Sequence, residues 1–267
     1  MIAALLLLLL APVRAASIER VPNLSFQTGH VIAISEMRAD PSTLLFEAAT
    51  ASRYGHMGIV AETPEGLMVY HSMPPGVQKT PLGDFLARST TQDQAKPQFT
   101  LLKHQDPLST DEQRGLVEVM QDMVDRKVPF NYTMVMNSKS VNCSEFVRRA
   151  FEAIGRSGLG DAGPIGRSNF NAFDGALVKL FGIKLPPMDS PGVSPVSIVE
   201  SPQLEVVHAG LPEGRLLSDA EIFEAWKNGG GLEALSRATR IPKEKLEALG
   251  KNAATKPYRA YPPAWRR

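Results

Sequence analysis

Val141-Asn142-Cys143-Ser144-Glu145-Phe146-Val147 contains the only cysteine of the chain. Phe146, Val147, Ala150, Phe151 and Ile154 recur at helical spacing, so an amphipathic helix is expected over Val141 to Ile154, with Cys143 in its first turn. Asn142 is a good N-cap for that helix, because its side-chain oxygen can take an orphan backbone N–H. Unsatisfied N–H groups and the helix dipole at this end stabilise a thiolate. Together with a nearby imidazolium they lower a cysteine pKa from ~8.5 into the range ~3.5–7.5. That is one way to activate a nucleophile. The thiol also lies on the apolar face of the helix, where a free cysteine ordinarily behaves as a small buried hydrophobe. Both readings hold if the thiol forms the floor of a cleft.

Upstream, His56-Met57-Gly58-Ile59-Val60-Ala61-Glu62 and Leu67-Met68-Val69-Tyr70-His71-Ser72-Met73 read as two strands separated by Thr63-Pro64-Glu65-Gly66, a turn with both Pro and Gly. If those four residues form the turn, Glu62 pairs with Leu67, Gly58 with His71, and His56 faces Met73. His56 and His71 then share one face as diagonal neighbours, roughly 7–8 Å apart or somewhat less. A three-residue loop would shift the register and put the two imidazoles on opposite faces.

Around this pair, Gly29 to Met37 reads as a strand, Asp40 to Ser52 as a helix, Thr80 to Thr90 as a short helix and Phe99 to Lys103 as a strand. Thr110-Asp111-Glu112-Gln113 opens a helix with Leu116, Val119, Met120, Met123 and Val124 on one face. Phe130 to Ser140 is expected as a loop, and Val193 to Gly210 as Pro-punctuated strand. Beyond Pro212 the pattern changes to short helices, with a start signal at Ser218 to Glu221 and a break at Gly229 to Gly231. The expected organisation is therefore a main domain over 17–212 and a helical extension over 213–267.

Met1 to Leu10 is largely apolar but far below the ~20 residues needed to span a bilayer, so no transmembrane anchor is expected here. Small residues follow around Ala11 to Ala16, the pattern of a signal peptide over 1–16. The expected location is the periplasm or the extracellular space, where a lone thiol has no intramolecular disulfide partner. Twenty-nine basic and 28 acidic residues give a net charge of +1, which leaves no large single-sign field to gather nucleic acid. His56, His71 and Cys143 are all competent zinc ligands, but no closely spaced pair such as His-x-x-x-His makes a rigid chelate, so no metal is expected.

Gly29-His30, Ser52-Arg53-Tyr54-Gly55-His56-Met57-Gly58-Ile59-Val60, Val69-Tyr70-His71-Ser72, Thr80-Pro81-Leu82 and Asn142-Cys143-Ser144-Glu145-Phe146-Val147 resemble, in this order, the YiiX-like permuted papain-fold amidases of the NlpC-type cell-wall peptidase superfamily. The resemblance covers roughly residues 26 to 210, and His precedes Cys as circular permutation requires. It implies an α+β, circularly permuted papain-like (NlpC-type) fold, with an antiparallel sheet packed on the nucleophile-bearing helix. It also implies Cys143 as nucleophile, His56 as general base, and His71 as the third group that orients the base. Relatives often carry a carboxylate at this third position, so His71 is a departure that supplies no fixed negative charge. The family's first strand usually begins Gly-Asp, where this chain has His30. Phe130-Asn131-Tyr132 matches the segment before the nucleophile helix, which assigns Tyr132 and Asn142 to oxyanion or substrate contact. The implied activity needs no cofactor. Its substrate is a peptide or acylated small molecule, with peptidoglycan stem peptides foremost; lipid acyl hydrolysis or transfer, or a non-catalytic envelope-binding module, are the alternatives.

Overall fold

The computed structural model describes residues 24–34, 54–89, 99–132, 135–160, 162–164, 189–210, 224, 227–228, 232–233, 236–237 and 240–248. The apolar run at 1–16, the end of the first strand beyond Ile34, the helix expected over Asp40 to Ser52, the start signal at Ser218 to Glu221 and the Gly229 to Gly231 break lie outside these residues.

Six strands form one antiparallel sheet: β1 (Val31–Ile34), β2 (His56–Thr63), β3 (Gly66–Met73), β4 (Gly76–Pro81), β5 (Phe99–His104) and β8 (Leu204–Ala209), in the order β4-β3-β2-β1-β5-β8. A minor pair, β6 (Gly163–Pro164) and β7 (Pro191–Gly192), stands apart. The central hairpin has the register read from its turn, with Glu62 opposite Leu67 and Gly58 opposite His71. Its strands extend one residue further than expected, so that Thr63 pairs with Gly66 and only Pro64 and Glu65 bridge them. Gly66 takes a positive φ of 109°, which an L side chain rarely adopts, and this lets the tight turn close.

The two faces of the sheet are covered differently because alternate residues point to opposite sides. Val31, Ala33, Met57, Ile59, Ala61, Met68, Tyr70 and Leu102 face the larger core, which is covered by α2 (Thr110–Asp125), α3 (Cys143–Ala153) and α4 (Pro195–Val199). Ile32, Ile34, Val60, Val69, Phe99 and Leu101 face a smaller core closed by α1 (Leu82–Ala87) through Leu82, Phe85 and Leu86. Helix α3 buries Phe146, Val147, Ala150 and Phe151, and large apolar side chains such as its phenylalanines contribute roughly 1.5–3 kcal/mol each. Helix α2 starts in a capping box, Ser109 with Glu112.

Two segments differ from the sequence-based expectation. Gly76–Pro81 is a strand before α1, so Thr80 belongs to a strand and not to the helix. Pro81 is tolerated there because β4 is an edge strand. Pro195–Val199 is helical where strand was expected: Pro195 occupies the first helical turn, and Ser194 and Ser197 form a capping box. In the C-terminal extension, Lys243 to Ala248 are helical, and Leu232, Ile241 and Leu246 are buried.

Candidate active site

The site is built at the end of the central hairpin where β2 begins and β3 finishes. His56 and His71 project from the same face, as the register requires, and their rings meet edge-on at 5.0 Å between centroids. Nε2 of His56 lies 2.9 Å from Nδ1 of His71, and Nε2 of His71 lies 2.8 Å from the Thr80 hydroxyl oxygen. Three polar side chains thus form one chain of hydrogen bonds across β2, β3 and β4.

Gly58 makes this contact possible. It lies directly opposite His71, and a Cβ there would come within 3.0 Å of the His71 Cβ and 2.6 Å of the Tyr70 carbonyl oxygen. The glycine in His56-Met57-Gly58 therefore has a steric role: with no side chain at 58, the two imidazoles can meet along the diagonal.

Phe85 of α1 closes the pair from below, with its ring 5.6 Å from His56 and 5.2 Å from His71. Burial drives the pKa of both rings well below the usual imidazole value. The Arg88 guanidinium adds to this for His56; for His71, His56 and then Arg88 add to it. Both imidazoles are therefore held neutral in the fold. Arg88 itself is directed to the end of β3, where its Nη1 lies 2.8 Å from Met73 Sδ.

Cys143 approaches from the other side of the sheet. It belongs to the larger core, with Met57, Ile59 and Tyr70, and stands at the N-terminus of α3. The helix start is tied to the same end of the hairpin. Ser72, the neighbour of His71, donates to the Val141 carbonyl at 2.8 Å, and Phe130 N–H donates to the carbonyl of Pro75, in the turn that follows β3. Asn131 N–H in turn donates to the Val141 carbonyl. Cys143 is 4% exposed and His56 6%, whereas His71 is fully buried. Thiol and outer imidazole thus keep a narrow opening to solvent, and the inner imidazole keeps none.

Asn142 caps α3 as expected. Its Oδ1 accepts from Glu145 N–H at 2.8 Å and from the Ser144 hydroxyl at 3.1 Å. Tyr132 lies at the surface, 43% exposed, with its ring edge-on to Phe130. His30 is buried beside β1 and accepts from Gln27 N–H, away from the pair; burial, and Lys103 after it, lower its pKa.

Four contributors escaped the sequence reading of roles: Thr80, Phe85, Ser72 and Glu145. The carboxylate of Glu145 is fully buried and accepts from Asn131 Nδ2, Asn137 N–H and Arg149, which pins the segment before α3. Burial raises its pKa, and Arg149 opposes the rise. The clues to Thr80 were its place in the Thr80-Pro81-Leu82 segment of the resemblance and the alternation along β4, which only a strand assignment would have exposed.

Among solved structures the chain is similar to one described as the crystal structure of metalloprotein yiiX from Escherichia coli O157:H7, DUF1105. The TM-score is 0.60 and the identity 21%, covering 71% of this chain and 100% of that one. No curated protein matches. The profile described as "Permuted papain-like amidase enzyme, YaeF/YiiX, C92 family" matches residues 26–208. With His56 ahead of Cys143 on an antiparallel sheet packed against the cysteine-bearing helix, the chain belongs to the permuted papain-like amidases of the YaeF/YiiX C92 family and is a papain-like cysteine peptidase or amidase.

Proposed function

We propose that Cys143 is the nucleophile of an exported amidase whose substrates are peptidoglycan stem peptides or related amides, with His56 as its base. The observation that carries this reading is the His56–His71 bond at the hairpin end to which Ser72 ties the start of α3. Nε2 of His56 is engaged by His71, so Nδ1 is the nitrogen left to take a proton. The thiol gives its proton to Nδ1 as Sγ attacks the amide carbonyl. Backbone N–H groups at the α3 N-terminus receive the developing oxyanion. Nδ1–H then protonates the leaving amine as the C–N bond breaks. Water, deprotonated by the same nitrogen, hydrolyses the thioester and regenerates the thiol.

His71 orients His56, and Asn142 supports the oxyanion site indirectly by capping the helix that forms it. We assign Tyr132 to substrate contact on the strength of its exposure beside this end of the fold. The placement outside the cytoplasm rests on the apolar run Leu5 to Leu10 and the small residues that follow it. The similar structure is titled a metalloprotein, but His56 and His71 each spend a nitrogen on the other. Among the described residues no group of three or more His, Cys, Asp or Glu could hold a metal ion. These residues do not fit a metal centre, and no step is assigned to one.

The test is the rate of Cys143 alkylation by iodoacetamide across pH, beside His56→Ala, followed by hydrolysis of muropeptides and lipid esters. The variant is expected to lose about 10²-fold of the wild-type reactivity near neutral pH, the ordinary size of a general-base contribution. Equal rates in the two proteins would remove His56 from the mechanism. Turnover of lipid esters without muropeptides would move the substrate class to acyl lipids.

A further inference from the structure

We propose that Thr80 is a positioning residue: by accepting from Nε2–H of His71 it fixes the tautomers of both imidazoles and leaves Nδ1 of His56 free to take the thiol proton. The proposal rests on His56 being the base, as argued above, and it says what makes that base competent. Two neutral imidazoles bonded Nε2 to Nδ1, with a hydroxyl at the far end, admit only two proton orders. In the first, His56 Nε2–H donates to His71 Nδ1, and His71 Nε2–H donates to Thr80 Oγ1. In the second every bond is reversed, Thr80 donates inward, and Nδ1 of His56 carries a hydrogen. Only the first order leaves a lone pair on the outer nitrogen of His56.

The surroundings favour the first order. His71 is fully buried, so its Nε2–H needs an acceptor within the protein, and Thr80 Oγ1 at 2.8 Å is in place. Thr80 is itself half-buried at the edge strand, so its hydroxyl proton can be given to solvent while its oxygen accepts. Relatives with a carboxylate at the third position need no such device, because a carboxylate can only accept. A histidine in that place can face either way, and a further group must choose. Thr80 is the group that chooses.

The experiment is 15N NMR of the imidazole nitrogens, combined with the alkylation rate of Cys143, on the wild type, Thr80→Val and Thr80→Ser. Both rings of the wild type are expected as Nε2–H tautomers. In Thr80→Val the valine cannot accept, a buried N–H without a partner is costly, and both rings are expected to convert to Nδ1–H. The alkylation rate near neutral pH is then expected to fall by about tenfold. Thr80→Ser keeps the hydroxyl and is expected to restore both the spectrum and the rate, which a purely structural defect would not allow.

Nδ1–H rings in the wild type, or Nε2–H rings that persist in folded Thr80→Val, would overturn the proposal. Should the valine variant fail to fold, the wild-type tautomers and those of Thr80→Ser still decide it. If the tautomers shift as expected while the wild-type thiol is inert, Thr80 keeps its role and the pairing of Cys143 with His56 fails.

Discussion

Acidification will destabilise this fold through its two buried imidazoles. His56 and His71 are both held neutral, by burial first, with Arg88 and, for His71, the neighbouring ring adding to the effect. In the unfolded chain each titrates near the ordinary imidazole value of 6.5. As pH falls below that value the unfolded chain therefore binds protons that the native protein does not, and stability drops. The contribution is fully present above about pH 6.5 and is lost progressively towards the depressed native pKa values. While both rings stay neutral in the fold, the slope approaches about 1.4 kcal/mol per pH unit for each, or about 2.7 kcal/mol together. Integrated from about pH 7.5 to about pH 5 with both rings neutral throughout, the pair removes at most about 4 kcal/mol, a large share of the ~5–15 kcal/mol that holds a typical domain together.

The assay is urea unfolding followed by far-UV circular dichroism at intervals across that range. The double variant His56→Gln, His71→Gln serves as the reference. Subtracting it removes the other contributors: His30 and His208, whose pKa values are also lowered, and Glu145, whose raised pKa acts in the opposite sense. Glu112, held at about 2 chiefly by Arg156, adds a loss only at lower pH, as the pH falls from the ordinary carboxylate value towards about 2. If the double variant loses stability in parallel with the wild type, differing by less than about 1 kcal/mol over the window, the rings are not buried neutral and the reasoning fails.

Three further outcomes follow from the same geometry. Asn142→Ala is expected to cost about 1 kcal/mol in urea unfolding and to slow Cys143 alkylation, because α3 loses the acceptor for Glu145 N–H, whereas Asn142→Asp keeps the cap. Gly58→Ala places a methyl group against Tyr70 and His71; a loss of about 1–3 kcal/mol and a weakened His56–His71 bond are expected, the latter seen as altered imidazole 15N shifts. Ser72→Ala removes the bond to the Val141 carbonyl, costs about 1 kcal/mol, and is expected to lower kcat on an amide substrate more than it changes KM, since it loosens the nucleophile and not the substrate surface.

The parts of this site that were legible in the sequence are those fixed by local rules. The turn between Thr63 and Gly66 sets the hairpin register, and the register puts His56 and His71 on one face whatever else the chain does. The apolar spacing behind Cys143 sets which side of α3 is buried, and Asn142 sets where the helix begins. Long-range placement was not legible. Thr80 reaches His71 only because Gly76–Pro81 pairs with β3, and that strand is short, polar and closed by a proline, so that Thr80 reads as the start of the following helix until the strand's partner is known. Glu145 is a charged residue in a helix turn, yet Asn131 and Asn137 converge on it from a loop whose path the sequence does not state, and Arg149 reaches it from one turn further along α3. Pro195 looked like a strand interruption, and only the Ser194–Ser197 capping box turns it into a helix start.

Under the proposed roles, a His71 in place of a carboxylate changes what kind of base His56 can be. A buried carboxylate beside an imidazole favours the imidazolium, so relatives with one can hold a preformed thiolate–imidazolium pair. Here the orienting group is neutral, burial disfavours charge, and the charge of Arg88, which acts on both rings, has the wrong sign for an imidazolium. The proposed base is therefore a neutral imidazole and the proposed nucleophile a thiol at the positive end of a helix, with proton transfer accompanying attack. The helix start must then do more for the developing negative charge on sulfur, and the tautomer of His56 must be correct before substrate arrives. The first demand accounts for the way Ser72, Asn142 and Glu145 all fasten the α3 N-terminus, and the second for a hydroxyl standing behind the second imidazole.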